Sequence, residues 1–474
     1  MYMKIIQHKK TKIVATMGPA SRDKKILTKM VEAGMNVARM NFSHGTHEEH
    51  LETFNLVRAV EKSTKQPIAI LQDLSGPKIR VGEVEKDTLL KANHSIILTT
   101  TKCIGTAERV FVNYKKLPKE VVKGATIKID DGKLELLVSE ILGNDIHCNI
   151  IIGGKLSSQK GVNLPDTLLS ISSLTAKDKK DVLFGIKHDV DYIALSFVQT
   201  ANDIRDLKKI LNKHNNKAKI IAKIETTPAV ANIDEILAIA DAAMVARGDM
   251  AVEVGVEKVP LIQKMIIRKC NELGKPVITA TQMLDSMEKS PVPTRAEVSD
   301  IANAILDGTD AIMLSGESAI GLFPALSIQT MSAIAARTEP ASKNIDLDYF
   351  GESKNVANSI SASAVRIANN IRARLIITLT ESGSTARSVA RFRPHHGVIA
   401  ITPRQRTFNQ LQLLYGCKPV LSKISGSIDQ VSNEIQKLVK KNNWANPGEK
   451  IVVTAGTPFG EIGSTNTIFV IEAI

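Results

Sequence analysis

Lys223 and Glu225 stand two residues apart at the end of the apolar run IIAKIE, and the next such run, AAMVARGD, ends in Asp249. Residues i and i+2 of a strand project to one face, so an ammonium and a carboxylate emerge side by side where that strand stops. Asp249 adds a second hard oxygen donor. Two carboxylates with a cation beside them can hold a divalent ion and meet negative charge as it builds on oxygen, the demand made above all by phosphoryl transfer. Taken alone, a Lys-x-Glu pair reads as a solvated salt bridge at a strand end. The surrounding elements decide between the two readings.

Those elements form a regular series. From residue 12 onward, short β-rich runs alternate with amphipathic helical stretches, the pattern of a parallel α/β fold. The runs are KIVATMG, NVARMNFS, AILQDLSG, DYIALSFV, KIIAKIE, AAMVARGD, PVITATQM and DAIMLSGE. Eight is the count of a closed (β/α)8 TIM barrel. Each run ends in polar or charged residues: Thr16, Arg39 with Asn41, Asp73, Ser196, Lys223 with Glu225, Asp249, Thr281, and Ser315 with Glu317. Barrel enzymes build their sites from C-terminal strand ends, so the recurrence predicts one shared site.

The third run is not followed promptly by a helix. Residues 78–164 read instead as short strands broken by turns, with Asp131-Gly132 as a hairpin signal and Pro165 returning the chain to the barrel. This predicts an inserted small β-barrel domain, a lid that closes over the charged site and excludes water. After the last barrel helix, PASKNIDLDYFGESKN reads as a linker, and a new α/β alternation follows. The expected domains are residues 1–77 with 165–342 as the catalytic barrel, 78–164 as the lid, and 343–474 as a C-terminal α/β open-sheet domain for effector binding and oligomerisation. In that last domain the loop TESGST, residues 380–385, ends a strand and opens a helix. Free N–H groups at such a helix start can hold an anion, or the hydroxyls can simply cap it.

Composition narrows the function classes. Hydrophobic content of 43% and charged content of 23% over 474 residues are those of an ordinary globular protein. No run of about eighteen apolar residues occurs, and the start MYMKIIQHKKTK lacks the apolar core of a signal peptide, so a cytoplasmic protein without membrane partners is expected. The four cysteines form no CxxC pair, which argues for reduced thiols. A net charge of +13 is scattered among acids, and with 4% aromatics nucleic acid is not an expected partner. The charge reads as attraction for small anions. There is no GxxxxGK[ST] and no GxGxxG, so a bound nucleotide must be held by arginines, lysines and metal. His44, His47 and His50 at three-residue spacing suggest a metal, but HGTHEEH carries the acidic first turn of a helix start.

The strings MNFSHG, GPKIR, KGVNLP, IAKIE, ARGD, ATQMLDSM, PTRAEVSDIANAILDG and IMLSGE, in this order and spacing, resemble the pyruvate kinase family. The likeness runs from TKIVATMGPAS to GSTNT, nearly the whole chain. It implies transfer of a phosphoryl group from phosphoenolpyruvate to ADP in glycolysis, and usually a homotetramer. By that resemblance Arg39 clamps the phosphoryl group, Glu225 and Asp249 hold Mg2+ or Mn2+, and the backbone at Gly248 leaves room for the substrate carboxylate. Lys223 then neutralises the phosphoryl group in flight, and Thr281 and Ser315 stand near the enolate. Asn41, His44, Arg80 and, from the lid, Lys160 match positions that contact the nucleotide.

Two departures from the family pattern stand out. Members that need K+ place it among positions matching Asn41, Ser43, Asp73 and the carbonyl of Leu74, helped by a glutamate where this chain has Lys78. The resemblance here is to K+-independent members, with the Lys78 ammonium substituting for the ion. Thr380, Ser382, Ser384 and Thr385 match the family's phosphate-cradling effector loop, but Glu381 adds negative charge there, for which Arg387, Arg391 or Arg393 is expected to compensate. The implied ligand is a phosphorylated effector. A barrel lyase or aldolase acting through a pyruvate enolate is the alternative activity, since it would use the same Lys, Glu and Asp.

Overall fold

A computed structural model of the chain describes residues 9–165, 167–342, 355–457 and 465–474. The eight expected runs form the strands Lys12–Thr16, Val37–Asn41, Ala69–Asp73, Tyr192–Leu195, Lys219–Ile224, Ala242–Ala246, Val277–Ala280 and Ala311–Leu314. All are parallel and close into one barrel, the first strand pairing with both the second and the eighth. The strands are apolar on both faces because both are covered: helices pack outside, and residues such as Val14, Ala69, Ile221, Met244 and Ala311 fill the interior. Helix starts are written locally. Thr46 with Glu49, Thr175 with Asp178, and Thr294 with Glu297 each form a reciprocal capping box. The first of these boxes belongs to the helix His47–Thr64, which is where the histidine string lies.

After the third strand the chain rises into a six-stranded curled sheet. Its two edges are joined by residues 79–82. Val81 and Val162 exchange backbone hydrogen bonds with Lys160 and Ile79, while Gly82 and Asn113 bond Phe111 and Arg80. These bonds roll the sheet into a barrel around Ile127, Leu136, Ile146 and Val162. The turn at Asp130, Asp131 and Gly132 has φ of 54°, 56° and 83°, which explains the Asp-Gly signal. The lid touches the barrel on the helix Arg247–Val254, where Lys128 Nζ donates to Val252 O at 2.8 Å and Asn163 Nδ2 to Glu253 Oε1 at 2.9 Å.

The linker expected at 340–355 begins with a short turn at Glu339–Ala341, and its residues 343–354 lie outside the described residues. The C-terminal sheet has five strands, four parallel and the last antiparallel. This unit closes the barrel floor. Leu413 joins the apolar cluster of the barrel interior, and the Tyr192 hydroxyl donates to Gln410 O at 2.5 Å. Arg393 grips Asp310 at 2.8 and 2.9 Å, both buried, at the start of the eighth strand.

Candidate active site

The polar strand ends meet in one hydrogen-bonded chain around the barrel mouth. Thr16 Oγ1 donates to Leu314 O at 2.8 Å and accepts from Arg39 NH1 at 2.7 Å. Arg39 Nε donates to Asp73 Oδ2 at 2.7 Å, and Lys223 Nζ lies 3.4 Å from Asp73 Oδ1. Lys223 Nζ also donates to Ser196 Oγ at 2.8 Å and lies 2.8 Å from Glu225 Oε1. Glu225 Oε2 accepts from the Phe197 amide at 2.8 Å. Two cations and two carboxylates thus balance where water is scarce, Asp73 and Glu225 each being 1% exposed.

That balance fixes protonation. Burial by itself would depress the Lys223 ammonium, but Asp73 and Glu225 outweigh it and hold its pKa above the ordinary lysine value. Burial would raise Asp73, yet Lys223 and Arg39 keep it below the usual carboxylate range. Burial pushes Glu225 up, and the charge of Asp249 adds to that push against the pull of Lys223. A buried carboxylate raised by a like neighbour invites a cation shared between them.

Both carboxylates have coordination to spare. Asp249, in the first turn of its helix, is half-buried and makes no hydrogen bond or ion pair among the described residues. Glu225 Oε1 is buried without an aligned hydrogen bond, its Lys223 contact being close but off-axis. A pair of under-bonded hard oxygens fits Mg2+, which takes one or two carboxylates and leaves the other positions to water and substrate phosphates. No group of three or more His, Cys, Asp or Glu that could hold a metal occurs among the described residues. The histidine string has other work: His47 Nε2 lies 2.7 Å from Asp181, and His50 stacks on Phe42 and bonds His44 O.

Thr281 sits on a strained turn, with φ of 69° at Thr281 and 53° at Gln282. Its hydroxyl donates to Ala280 O at 2.6 Å and accepts from the Gly248 amide at 2.9 Å. Arg247 clasps the same turn, donating to Thr281 O at 2.6 Å and Ala280 O at 3.1 Å while pairing with Asp300 at 2.7 Å. A Cβ on Gly248 would meet Thr281 only at 3.7 Å, so packing within the protein leaves space there. Ser315 follows the eighth strand, its amide bonded to Glu317 and its hydroxyl unbonded among the described residues.

The expected nucleotide and cation positions are placed less tightly. Arg80 and Lys160 flank one backbone pairing at the lid base, where Arg80 donates to Gln159 O and Lys160 pairs with Asp130 at 2.9 Å. His44 is exposed and Asn41 Oδ1 accepts from the Ser43 amide, so no bond joins these two to the lid residues. The Leu74 carbonyl accepts from Ser196 at 2.7 Å. The ammonium beside Asp73 belongs to Lys223, not to Lys78. Gly76, at φ 67°, and Pro77 turn the chain up into the lid, leaving Lys78 exposed and without an ion pair among the described residues, in the cleft that Asp249 also lines.

The effector loop also differs from expectation. Thr380 Oγ1 accepts from the Gly383 amide, Thr385 bonds Thr465, and Ser382 bonds Ser384. Glu381 pairs with Arg404 at 2.8 Å. Of the three arginines expected to offset it, Arg391 donates to Glu272 O and Arg393 holds Asp310 at the barrel floor, while Arg387 stays beside the loop, donating to Ser382 O at 3.2 Å. The docking of the domain, invisible in the sequence, claims the first two.

A barrel mouth with a fixed ammonium, neighbouring carboxylates and a basic lid suits an enzyme for anionic substrates, a phosphotransferase by its charge layout. Comparison with known proteins narrows the class. The family model for the pyruvate kinase barrel domain matches residues 8–328, and that for the pyruvate kinase alpha/beta domain matches residues 358–471. Pyruvate kinase of Staphylococcus aureus (strain MRSA252) is 44% identical over 97% of this chain and 79% of its own length. That of Staphylococcus haemolyticus (strain JCSC1435) is 45% identical with the same coverage. The crystal structure of a pyruvate kinase from Cryptosporidium parvum superposes with a TM-score of 0.93 at 36% identity, covering 99% of this chain and 97% of the other. The chain belongs to the pyruvate kinase family. These findings give no support to the lyase or aldolase reading.

Sequence reasoning missed three participants. Ser196 was visible as a polar strand end but had no role until Lys223 and Leu74 were placed on it. Thr16 was likewise visible as a strand end. Arg247, inside ARGD, gave no signal that its side chain crosses to the seventh strand.

Proposed function

We propose that Lys223, Arg39, Glu225, Asp249 and Thr281 carry the family's reaction at this mouth. In it the phosphoryl group of phosphoenolpyruvate passes to ADP. The bond from phosphorus to the enol oxygen breaks, a bond to a β-phosphate oxygen of ADP forms, and the enolate takes one proton at carbon, giving pyruvate and ATP. The observation that carries this reading is the Lys223 ammonium, held charged by two buried carboxylates at the centre of the mouth. A fixed cation there stabilises charge on the moving phosphoryl and on the enolate without reorganising. Arg39 has Nε and NH1 anchored on Asp73 and Thr16, which leaves NH2 to face phosphoryl oxygen.

Glu225 and Asp249 would hold Mg2+ or Mn2+, which when bound neutralises oxygens of both substrates. The space left at Gly248 admits the substrate carboxylate, and Thr281 and Ser315 lie on the enolate side. Asn41, His44, Arg80 and Lys160 bind the nucleotide as the lid closes, Lys160 exchanging Asp130 for phosphate. The family uses Mg2+ and K+. In this chain Lys78 brings to the cleft a positive charge that makes no ion pair among the described residues, so the K+ requirement is relaxed.

The division at residues 77/78, 164/165 and 342/343, a homotetramer, a cytoplasmic location and activation by a phosphorylated effector belong to the same reading. Separate apolar clusters in the barrel, lid and C-terminal sheet support the division. No helix among the described residues is long and apolar enough to cross a membrane. The test is pyruvate release from phosphoenolpyruvate with Mg2+, with and without ADP. Release that needs ADP and yields ATP in equal amount is expected; release without ADP would overturn the proposal.

A further inference from the structure

The turn at residues 42–45, between the second barrel strand and the helix His47–Thr64, is gripped from outside its own segment. Its amides are bonded by the strand ends: Phe42 N donates to Asp73 O at 2.9 Å, Ser43 N to Asn41 Oδ1 at 3.1 Å and His44 N to Asn41 O at 3.3 Å. Two of its carbonyls are claimed by side chains. His50 Nε2 donates to His44 O at 2.9 Å, and Lys177 Nζ, reaching across from the helix Ala176–Lys187, donates to Phe42 O at 2.6 Å. The Phe42 ring is buried and stacks on His50 with centroids 3.9 Å apart.

Asp181 explains how a lysine comes to be aimed there. Its side chain is 2% exposed and accepts at both oxygens, Oδ1 from His47 Nε2 at 2.7 Å and Oδ2 from Lys177 Nζ at 2.6 Å. Lys177 and Asp181 are four residues apart on one helix, a spacing at which surface ion pairs are common and contribute little. This pair differs because the carboxylate is buried and the ammonium is shared with a backbone carbonyl. An ammonium on a flexible stem has three donors and no preferred direction, so the fixed carboxylate supplies the direction. The same helix start also reaches the lid. Asp178 Oδ1, buried, accepts from the Gly76 amide at 3.2 Å, where the chain turns upward. The turn and the base of the lid are thus both referred to one helix.

We propose that Lys177, aimed by Asp181, is a positioning residue for ADP: its bond to Phe42 O holds the turn beside Asn41 and His44 in the geometry that receives the nucleotide. This rests on the reading that Asn41 and His44 bind ADP. The ammonium is engaged by Phe42 O and Asp181, so it acts through the turn. Without it the two carbonyls keep one side-chain donor, His50 on His44 O. Apparent affinity falls in proportion to the fraction of molecules whose turn is competent, so a turn correctly placed about one tenth of the time binds ADP about tenfold more weakly. The groups read as holding phosphoenolpyruvate are anchored elsewhere. Arg39 rests on Thr16 and Asp73, and Lys223 on Asp73, Ser196 and Glu225, none of them bonded to Lys177. The effect is therefore selective for the nucleotide.

Steady-state assays and titration calorimetry of the full chain with ADP and Mg2+ test this. Lys177→Met keeps the stem and deletes the donors, and Lys177→Arg restores a donor. Lys180→Met removes the same charge from an exposed position of the same helix that makes no hydrogen bond or ion pair among the described residues. In Lys177→Met, KM and Kd for ADP are each expected to rise about tenfold, with KM for phosphoenolpyruvate within about twofold and kcat within about threefold of the parent. Lys177→Arg should return the ADP constants to within about threefold, and Lys180→Met should leave every constant within about twofold. Parental ADP constants in Lys177→Met would overturn the proposal. So would an equal rise in KM for both substrates that Lys177→Arg does not recover, the mark of a general structural role. His44→Ala, measured alongside, reports the nucleotide reading. If it weakens ADP while Lys177→Met does not, the positioning role alone fails; parental ADP constants in His44→Ala would count against the placing of the nucleotide on this turn.

Discussion

Replacing Arg247 by Met tests how the substrate-facing turn is held. Arg247 opens the helix that bears Asp249 and crosses to the seventh strand, donating to Thr281 O and Ala280 O at 2.6 and 3.1 Å. The turn it clasps places two non-glycine residues, Thr281 and Gln282, in the left-handed region. Each such residue costs of the order of 1–3 kcal/mol unless its surroundings enforce it. Methionine keeps the stem and deletes the donors. Two hydrogen bonds from a charged group contribute about 1.5–3 kcal/mol each, while the pair with Asp300, whose side chain is 36% exposed, adds less than about 1 kcal/mol. Allowing for relaxation of the freed turn, the loss of stability comes to roughly 3 kcal/mol. Activity should fall further than stability suggests. The Thr281 hydroxyl is fixed 2.9 Å from the Gly248 amide, and a displacement of the order of 1 Å costs about a hundredfold. Steady-state assays are expected to show kcat/KM for phosphoenolpyruvate down about a hundredfold with KM for ADP within about threefold, and calorimetry a lower melting midpoint. Asp300→Asn should stay within about fivefold of the parent, because it keeps the clasp on the two carbonyls. Arg247→Met with parental kcat/KM and melting would refute the reasoning.

Three further outcomes follow from the same geometry. Asp310 accepts from Arg393 at two positions and from the Tyr415 and Val277 amides, so Asp310→Asn or Arg393→Met should cost about 3–5 kcal/mol, read as a lower melting midpoint; an unchanged midpoint would mean the floor contact is not a stabilising joint. Lys223 has a raised pKa, so its ammonium persists as pH rises and its stabilising contribution, complete below the unfolded value of about 10.4, is lost only above it. A kcat profile between about pH 7 and 10 should therefore show no alkaline fall due to Lys223, and a fall in that range that shifts upward in Lys223→Arg would contradict this. In K+-free buffer with Mg2+, turnover should remain within about fivefold of that in KCl, whereas near-zero turnover restored by KCl would show that Lys78 does not relax the requirement.

What the sequence disclosed is what short-range physics writes into it. The eight strands were legible because a parallel barrel buries both strand faces, so each appears as an apolar run with a polar end, as in KIIAKIE or AAMVARGD. The lid was legible from the loss of helical period after the third strand and from Asp131-Gly132. The same logic placed Lys223, Glu225 and Asp249 together, since consecutive parallel strands in a barrel end at one rim. Contacts set by three-dimensional docking were not legible. Arg39 meets Asp73, although Leu71 is its register partner and Asp73 faces Asn41, because long side chains reach diagonally across the mouth. Arg391 and Arg393, read as loop cations, are consumed by a floor that exists only once the C-terminal domain packs against the barrel. The place of Lys78 was not legible either, because Gly76 and Pro77 redirect the backbone within two residues, a turn whose direction the string DLSGPKIR does not specify.

The central claim is that the Lys223 ammonium, fixed between Asp73 and Glu225, stabilises the phosphoryl group as it leaves one oxygen for another. Single-turnover transfer from radiolabelled phosphoenolpyruvate to ADP, compared between the parent and Lys223→Met with Mg2+ saturating, addresses it most directly. The expected result is transfer slowed by about a hundredfold or more, with ADP still bound at parental affinity. Transfer by Lys223→Met at the parental rate would contradict the claim.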